Sequence, residues 1–315
     1  MNDHDHILRN DNPDGIDRRG FLKCMAWAGT GIVWTMSGGL LTSKLLGATT
    51  PAVGDFSFVQ ISDSHIGFNK DANKDVIGTL QKAIGKINAL PNSPDFILHT
   101  GDLSHLSEAE EFDALEQNLK SLKTGEIFYV PGEHDVISDN GALYRERFGK
   151  NARGSGWYSF DKHGVHFVGL VNVLNIREGG LGIIGAEQLD WLKKDLEPLS
   201  ASTPIVVFAH IPLWAVYPQW GWGTDDAEQA LGFLRRFGSV TVLNGHIHQT
   251  VRKVEGNITF HTAMSTAFPQ PAPGTAPKAG PMIVPAERLS SVLGITDVKY
   301  VEHDHTLAVV DDSLA

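Results

Sequence analysis

The 315-residue chain carries 26 lysines and arginines against 37 aspartates and glutamates, a net charge of −11, with 42% hydrophobic and 20% charged residues. That length accommodates one large α/β domain plus a short appendage, and an acidic balance without clustered Lys or Arg argues against a nucleic-acid surface. The single Cys24 excludes an internal disulfide and a cysteine-based zinc site, whereas 14 histidines is a high count whose placement matters.

The first segment stands apart. Residues 17–24, DRRGFLKC, set Arg18 and Arg19 ahead of a mostly apolar stretch from Met25 to Leu41. Paired arginines before an apolar run with no polar periodicity read as a twin-arginine export signal, with a soluble amphipathic helix as the alternative. Residues 1–51 are therefore expected to be a signal or anchor segment and 52–315 the functional domain. This makes the twin-arginine export machinery a partner and the protein periplasmic or otherwise exported. No clean small-x-small site marks cleavage near 42–53, so removal of the leader and its retention as a membrane anchor both stay open.

From about residue 52, short β-branched or aromatic runs alternate with longer amphipathic ones. FSFVQI (56–61), DFILHT (95–100), EIFYV (126–130), PIVVFA (204–209) and SVTVLN (239–244) are strand-like. Helices are expected at 74–90, 108–122, 186–197 and 226–237, and hairpins at 157–171 and 250–263. Such alternation predicts an α/β domain whose sheet layers are covered by helices. Residues 268–285 hold six of the fifteen prolines and read as a long irregular loop, a candidate lid.

Each strand-like run is followed by ionisable residues: Asp63 and His65, then Asp102, then Glu133-His134-Asp135, then His210, then His246 and His248. In open α/β sheets, loops at the carboxyl ends of strands converge on ligands. Asp63, His65, Asp102, Glu133, His210, His246 and His248 mix oxygen and imidazole donors, which suits Mn, Fe or Zn and not an all-oxygen Ca or Mg cage. Seven donors exceed the needs of one ion. Two ions sharing a bridging carboxylate are the economical reading, and such a pair can clamp a phosphoryl group. The competing account, strand-end turns and helix caps that happen to carry Asp and His, does not explain a ligand-candidate histidine in three of the five loops.

The ordered motifs DSH, GD, GEHD, H and GHIH, spread over residues 63–248, resemble the calcineurin-like metallophosphoesterase family, in particular its cyclic-nucleotide phosphodiesterase-like branch. The resemblance implies a four-layer αββα sandwich with two metal ions. By position, Asp63, His65 and His248 would hold the first ion, Asp102 would bridge, and Glu133, His210 and His246 would hold the second. It also implies hydrolysis of a small-molecule phosphate ester, most simply a phosphodiester, by a hydroxide held on the ions. His134 would serve as the acid and Asp135 would orient its imidazole. Glu133 departs from the family pattern, which has asparagine there. That departure leaves two alternatives: a catalytically altered metal-binding or partner-binding protein, or a phosphomonoesterase with trivalent iron. A redox role for the ions is a third, which the His134–Asp135 pair disfavours.

The remaining candidates are weaker. His105 is placed to face the pocket; Asn172 and Arg177 are candidate substrate contacts. Trp214, Tyr217, Trp220 and Trp222 either stack a flat leaving group or pin their loop. His99 and His261, inside apolar runs, read as hydrogen-bonded core residues.

Overall fold

The computed structural model describes residues 34–37, 40–43, 56–150, 152–301 and 306–315. Most of the 1–51 segment, with Arg18, Arg19 and Cys24, lies outside them, as do His303 and His305. Its described part is a short antiparallel pair, β1 (Trp34–Ser37) and β2 (Leu40–Ser43). No helix among the described residues is long and apolar enough to cross a membrane.

Successive strand residues point to opposite faces, so a strand buried on both faces reads as a continuous apolar run. In β3 (Phe56–Ile61), Phe56 and Phe58 point inward to a core shared by two sheets, and Val59 and Ile61 face outward under helices. β4 (Phe96–His99) repeats this, with Phe96 and Leu98 inward and Ile97 outward. With β5 (Ile127–Tyr129), β12 (Gly294–Val301) and β13 (Thr306–Ser313), they form a five-stranded sheet in the order β13-β12-β3-β4-β5. β3, β4 and β5 run parallel.

The second sheet has six strands in the order β10-β11-β9-β8-β7-β6. Its members are β6 (Tyr158–Lys162), β7 (Val165–Gly169), β8 (Ile205–Phe208), β9 (Val240–Asn244), β10 (Arg252–Glu255) and β11 (Ile258–Thr262). β7, β8, β9 and β11 are parallel, and both expected hairpins are present as β6–β7 and β10–β11. Val165, Phe167, Val206, Phe208 and Leu243 meet Phe58, Phe96 and Leu98 between the sheets.

Helices α1 (Val76–Asn88), α2 (Ala109–Leu119) and α3 (Ala142–Phe148) contribute to the core outside the five-stranded sheet. Helices α4 (Ala186–Leu196) and α5 (Ala227–Leu234) cover the six-stranded one. Two helical cores flank an intersheet core, which is the four-layer αββα arrangement. α1 illustrates the local logic. Asp75 caps it by accepting from the Gly78 N–H, and Val76, Leu80, Ala83, Ile84 and Ile87 form its buried stripe. Leu80→Ala in that stripe would cost about 2–5 kcal/mol. A last helix, α6 (Ala286–Leu289), ends the proline-rich loop.

Candidate metal centre

Parallel pairing brings the carboxyl ends of β3, β4 and β5 to the same edge as those of β8 and β9. Gln60 fastens the two sheets there by donating to the Thr100 hydroxyl and the Asn244 carbonyl. All seven sequence-predicted ligands lie at this edge. Among the described residues, eight non-glycine residues have positive φ; five are Asp63, His65, Asp102, His246 and His248, with φ between 41° and 70°. A strand must turn sharply for two side chains two residues apart to reach one point, and strained left-handed backbone is the local cost of that turn. Gly101, at φ 98°, is required for space as well: a Cβ there would lie 2.5 Å from His210 Nδ1.

The side chains divide into two groups that share a carboxylate. Donor atoms of Asp63, His65 and His248 lie within 4.8 Å of one another, as do those of Glu133, His210 and His246. Two donors on one tetrahedral ion sit about 3.4 Å apart, and within the groups His248 Nε2 lies 3.2 Å from both His65 Nε2 and Asp63 Oδ1, while Glu133 lies 2.9 Å from both His210 and His246. Between them, Asp102 Oδ2 stands 3.4 Å from both His65 Nε2 and His210 Nε2, the position of a bridge.

Imidazole orientation is set from behind. His210 Nδ1 donates to the Thr100 carbonyl at 2.7 Å, and His248 Nδ1 donates to the Phe268 carbonyl. Each is left with Nε2 turned inward. His210 Nε2 then faces Glu133 at 2.9 Å, Asp102 at 3.4 Å and Asp63 at 3.8 Å, yet makes no hydrogen bond among the described residues. Glu133 Oε2 and both ring nitrogens of His246 are likewise buried without a hydrogen bond. Lone pairs converging from carboxylates and imidazoles are unfavourable unless a cation lies between them, and this donor set fits a pair of ions.

The electrostatics of the metal-free chain agree. Burial depresses His210, but the Asp102 and Glu133 carboxylates hold it well above the ordinary histidine range. Burial opposes the charge on Glu133, yet His246 and His210 hold it well below the usual carboxylate range. His65, buried among His134, His248 and His105, is pushed well down, which keeps its lone pair available.

Glu133 aims at the centre. One carboxylate oxygen lies 2.9 Å from His210 Nε2 and the other 2.9 Å from His246 Nδ1. His134 also faces the cavity, its Nδ1 donating to the His105 carbonyl at 2.7 Å, which leaves Nε2 free to carry a proton outward. Burial lowers His134, but Asp102 and Glu133 raise it above the ordinary value.

Asp135 corrects the expectation drawn from adjacency. It does not hold the His134 ring. It accepts from the backbone N–H groups of Leu103, Ser104 and Gly132 and from the Ser104 hydroxyl, at 2.8–3.1 Å. Residues Glu133–Asp135 form one 3-10 turn, in which successive side chains diverge by about 120°, so neighbours in sequence cannot share a direction. Asp135 therefore stitches the GEHD loop to the loop after Asp102; burial and the Asp102 charge push it up to about 7. Its three N–H donors oppose that rise.

A cavity of about 510 Å³ opens over the centre. His105 lines it, as expected, with its ring stacked on His134 at 4.7 Å. Trp220 and Trp222 reach it; Trp214 packs on Phe260 in the core and Tyr217 backs Trp220 edge-on. Asn172 and Arg177 do not line it. Asn172 is buried and bonds the Ile211 backbone and Thr224, and Arg177 pairs with Asp225 at 2.8 Å. The proline-rich loop supplies Phe268, Gln270 and residues 279–281 to the wall. His99 is a buried core residue bonded to Ser64, held down at about 3 by burial, and His261 pairs with Asp311. Phe68, Lys70 and Gln270 were not anticipated from sequence. The first two follow His65 by three and five residues, a proximity that is itself a usable signal.

Residues 56–250 match the model of the calcineurin-like phosphoesterase family. A 3′,5′-cyclic-nucleotide phosphodiesterase of Nostoc sp. is 26% identical over 218 residues, covering 67% of this chain and 79% of that protein. A serine/threonine-protein phosphatase of Danio rerio is 26% identical over 226 residues, covering 62% and 71%. Among solved structures, a dimetal phosphatase from Danio rerio superposes with a TM-score of 0.61 at 15% identity over 82% of this chain and 96% of that one, a likeness of fold. The family match over most of the domain, on a fold whose strand ends gather two groups of metal donors, means that the chain belongs to the calcineurin-like phosphoesterase family and is a metal-dependent phosphoric ester hydrolase.

Proposed function

We propose that the protein is an exported phosphodiesterase with two metal ions, of which Mn, Fe and Zn suit the donor set. The observation that carries this reading is the shared Asp102, standing 3.4 Å from one imidazole of each donor group. Asp63, His65 and His248 would hold one ion, Glu133, His210 and His246 the other, and Asp102 both. When bound, the ions supply Lewis acidity toward a phosphoryl oxygen and lower the pKa of attacking water.

The chain's own residues do the rest. Thr100 and Phe268 carbonyls fix the tautomers of His210 and His248. His134, its Nδ1–H engaged by the His105 carbonyl and its basicity raised by Asp102 and Glu133, carries a proton at Nε2 for the departing alkoxide. Asp102 Oδ1 accepts from the His134 N–H at 2.9 Å, so the acid is registered to the bridging carboxylate. Three carboxylates would offset three of the four positive charges of two divalent ions and the attacking hydroxide the fourth, and a neutral centre loses less attraction for a diester monoanion than for a monoester dianion.

The test is reconstitution of metal-free protein with each ion, followed by assay on bis(p-nitrophenyl) phosphate and p-nitrophenyl phosphate. Two bound ions and preferential diester turnover are expected. Metal uptake with no turnover of either ester would overturn the assignment and favour the altered-catalyst alternative. For export, replacing Arg18 and Arg19 by lysine should leave the protein in the cytoplasm, since lysine lacks the planar guanidinium fork. Unchanged export would reject the twin-arginine reading.

A further inference from the structure

The cavity over the donor cluster is asymmetric in chemistry. Its floor is His, Asp and Glu; its walls are Phe68, Phe268, Ile176, Trp220, Trp222 and Pro281. Among the described residues that line it, Lys70 is the one lysine or arginine. Phe268 stacks 4.8 Å from His65 and 4.3 Å from Phe68, so the apolar wall begins directly against the donors. Ile176, 40% exposed, adds an accessible apolar side chain to this wall.

These walls are held in shape partly by contacts away from the donors and partly by contacts with the donor loops. The backbone at Gly180 lies against Gly221, where a Cβ on Gly180 would meet the Gly221 Cα at 3.1 Å. Arg177 fastens the Ile176 segment to Asp225 at 2.8 Å, which gives that arginine an anchoring role. On the other side, Gln270 donates to the His246 carbonyl and accepts from the Gly280 N–H, tying the proline-rich loop to the ligand loop. A pre-formed apolar wall beside a polar floor is the usual form of a site that reads one neutral group next to a charged one.

Resting on the phosphodiesterase reading above, we propose that these walls form a subsite for an uncharged, flat or apolar alcohol of the diester. A second anionic group, such as a further phosphate on the alcohol, would meet aromatic rings with a single ammonium for compensation. A neutral aromatic group would instead displace water from Trp220, Ile176 and Phe268, with gains from both area and ring geometry.

Two measurements test this. In the first, p-nitrophenyl phosphodiesters whose second alcohol is methyl, phenyl or 1-naphthyl are compared, with leaving group and metal constant. From methyl to naphthyl, kcat/KM should rise about tenfold through KM, and Ile176→Asp or Trp220→Ala should flatten that trend, read as the naphthyl-to-methyl ratio within each variant. A flat series in the wild type, or an unaltered trend in both variants, would overturn the proposal. In the second, 1-naphthol is titrated into metal-free protein and tryptophan fluorescence is read, which needs neither ions nor turnover. Saturable quenching that Ile176→Asp weakens at least about fivefold is expected; quenching identical in the variant would overturn the subsite. Because this readout is independent of hydrolysis, an inactive enzyme with intact naphthol binding would reject the phosphodiesterase reading and retain the subsite.

Discussion

Among the places where a buried histidine meets carboxylate, His166 and His210 differ in how fully their rings are satisfied. At His166, in β7, both ring nitrogens are hydrogen-bonded: Nδ1 to Asp161 of β6 at 2.8 Å and Nε2 to Asp195 of α4 at 3.0 Å. At His210, one nitrogen is bonded to a backbone carbonyl, and the other faces three carboxylates without a hydrogen bond. The first arrangement is complete in itself and needs only a proton. The second is complete only with something else present. Residue types and the shortest distances are alike in the two places, although Asp161 is exposed, so the distinguishing feature of a functional centre here is unsatisfied convergence, not the presence of charged residues.

The largest effect should come from removing charge at the point of convergence. Asp102→Asn or His246→Ala is expected to reduce hydrolysis to background and to lose at least one ion by elemental analysis. Loss of the bridging charge leaves two cations facing each other with less negative charge between them. Two ions and near-normal turnover in either variant would show that Asp102 and His246 are, like His166, support for the fold.

Next in size is His134→Ala, which should lower kcat by ~10²–10⁴ with both ions retained. The loss should shrink as the leaving group improves toward p-nitrophenolate. An equal loss for good and poor leaving groups would mean that His134 contacts the phosphoryl group and transfers no proton. Asp135→Asn provides the contrast. Because Asp135 accepts from three backbone N–H groups and not from the His134 ring, its change should lower thermal stability and slow all substrates alike.

These contrasts also explain what was legible in the sequence. Five strand ends were readable because strands buried on both faces are unbroken apolar runs, so the polar residue that follows each marks the carboxyl edge. The donors could be grouped because parallel strands leave few ways for those edges to meet. The directions of side chains within a turn were not legible. His134 and Asp135 look like a catalytic pair in one dimension, and the 3-10 geometry separates them. Arg177 and Asn172 failed for a related reason, since their partners Asp225 and Thr224 lie about fifty residues away and only packing pairs them. β12 and β13 escaped notice because sequences such as GITDVKYV interleave charges with apolar residues and have no clean period.

Glu133 sharpens the comparison further, since it belongs to the unsatisfied centre but stands where the motif resemblance implies a neutral asparagine. Glu133→Asn should keep the fold, weaken one ion by about 10–100-fold, and shift the diester-to-monoester ratio of kcat/KM toward monoesters by about tenfold as positive charge is restored. A ferric ion in the isolated wild-type protein, detected spectroscopically, would move the wild-type preference itself toward monoesters, because the third positive charge already offsets the carboxylate. No change in ion affinity or in the ratio would mean that Glu133 leaves the centre when ions enter.

The smallest effect is expected at His166, and its sign follows from the satisfied geometry. Burial lowers its pKa, but hydrogen bonds and charge from Asp195 and Asp161 raise it above the ordinary histidine value in the folded state. A group whose folded pKa exceeds its unfolded value, about 6.5, contributes stability that is fully present below that value and is lost as pH rises through the folded one. Asp195, with 19% of its side chain exposed, should matter more than Asp161, which is 75% exposed and screened by solvent. His166→Gln should therefore cost on the order of 1 kcal/mol at pH 6 and less at pH 9, with Asp195→Asn following the same trend more strongly than Asp161→Asn. Thermal melts of each variant against wild type at matched metal loading isolate this from the pH dependence of ion binding, which affects both proteins equally. A stability gap that widens with pH would show that His166 is neutral in the folded chain and that its two carboxylates do not hold a charge on it.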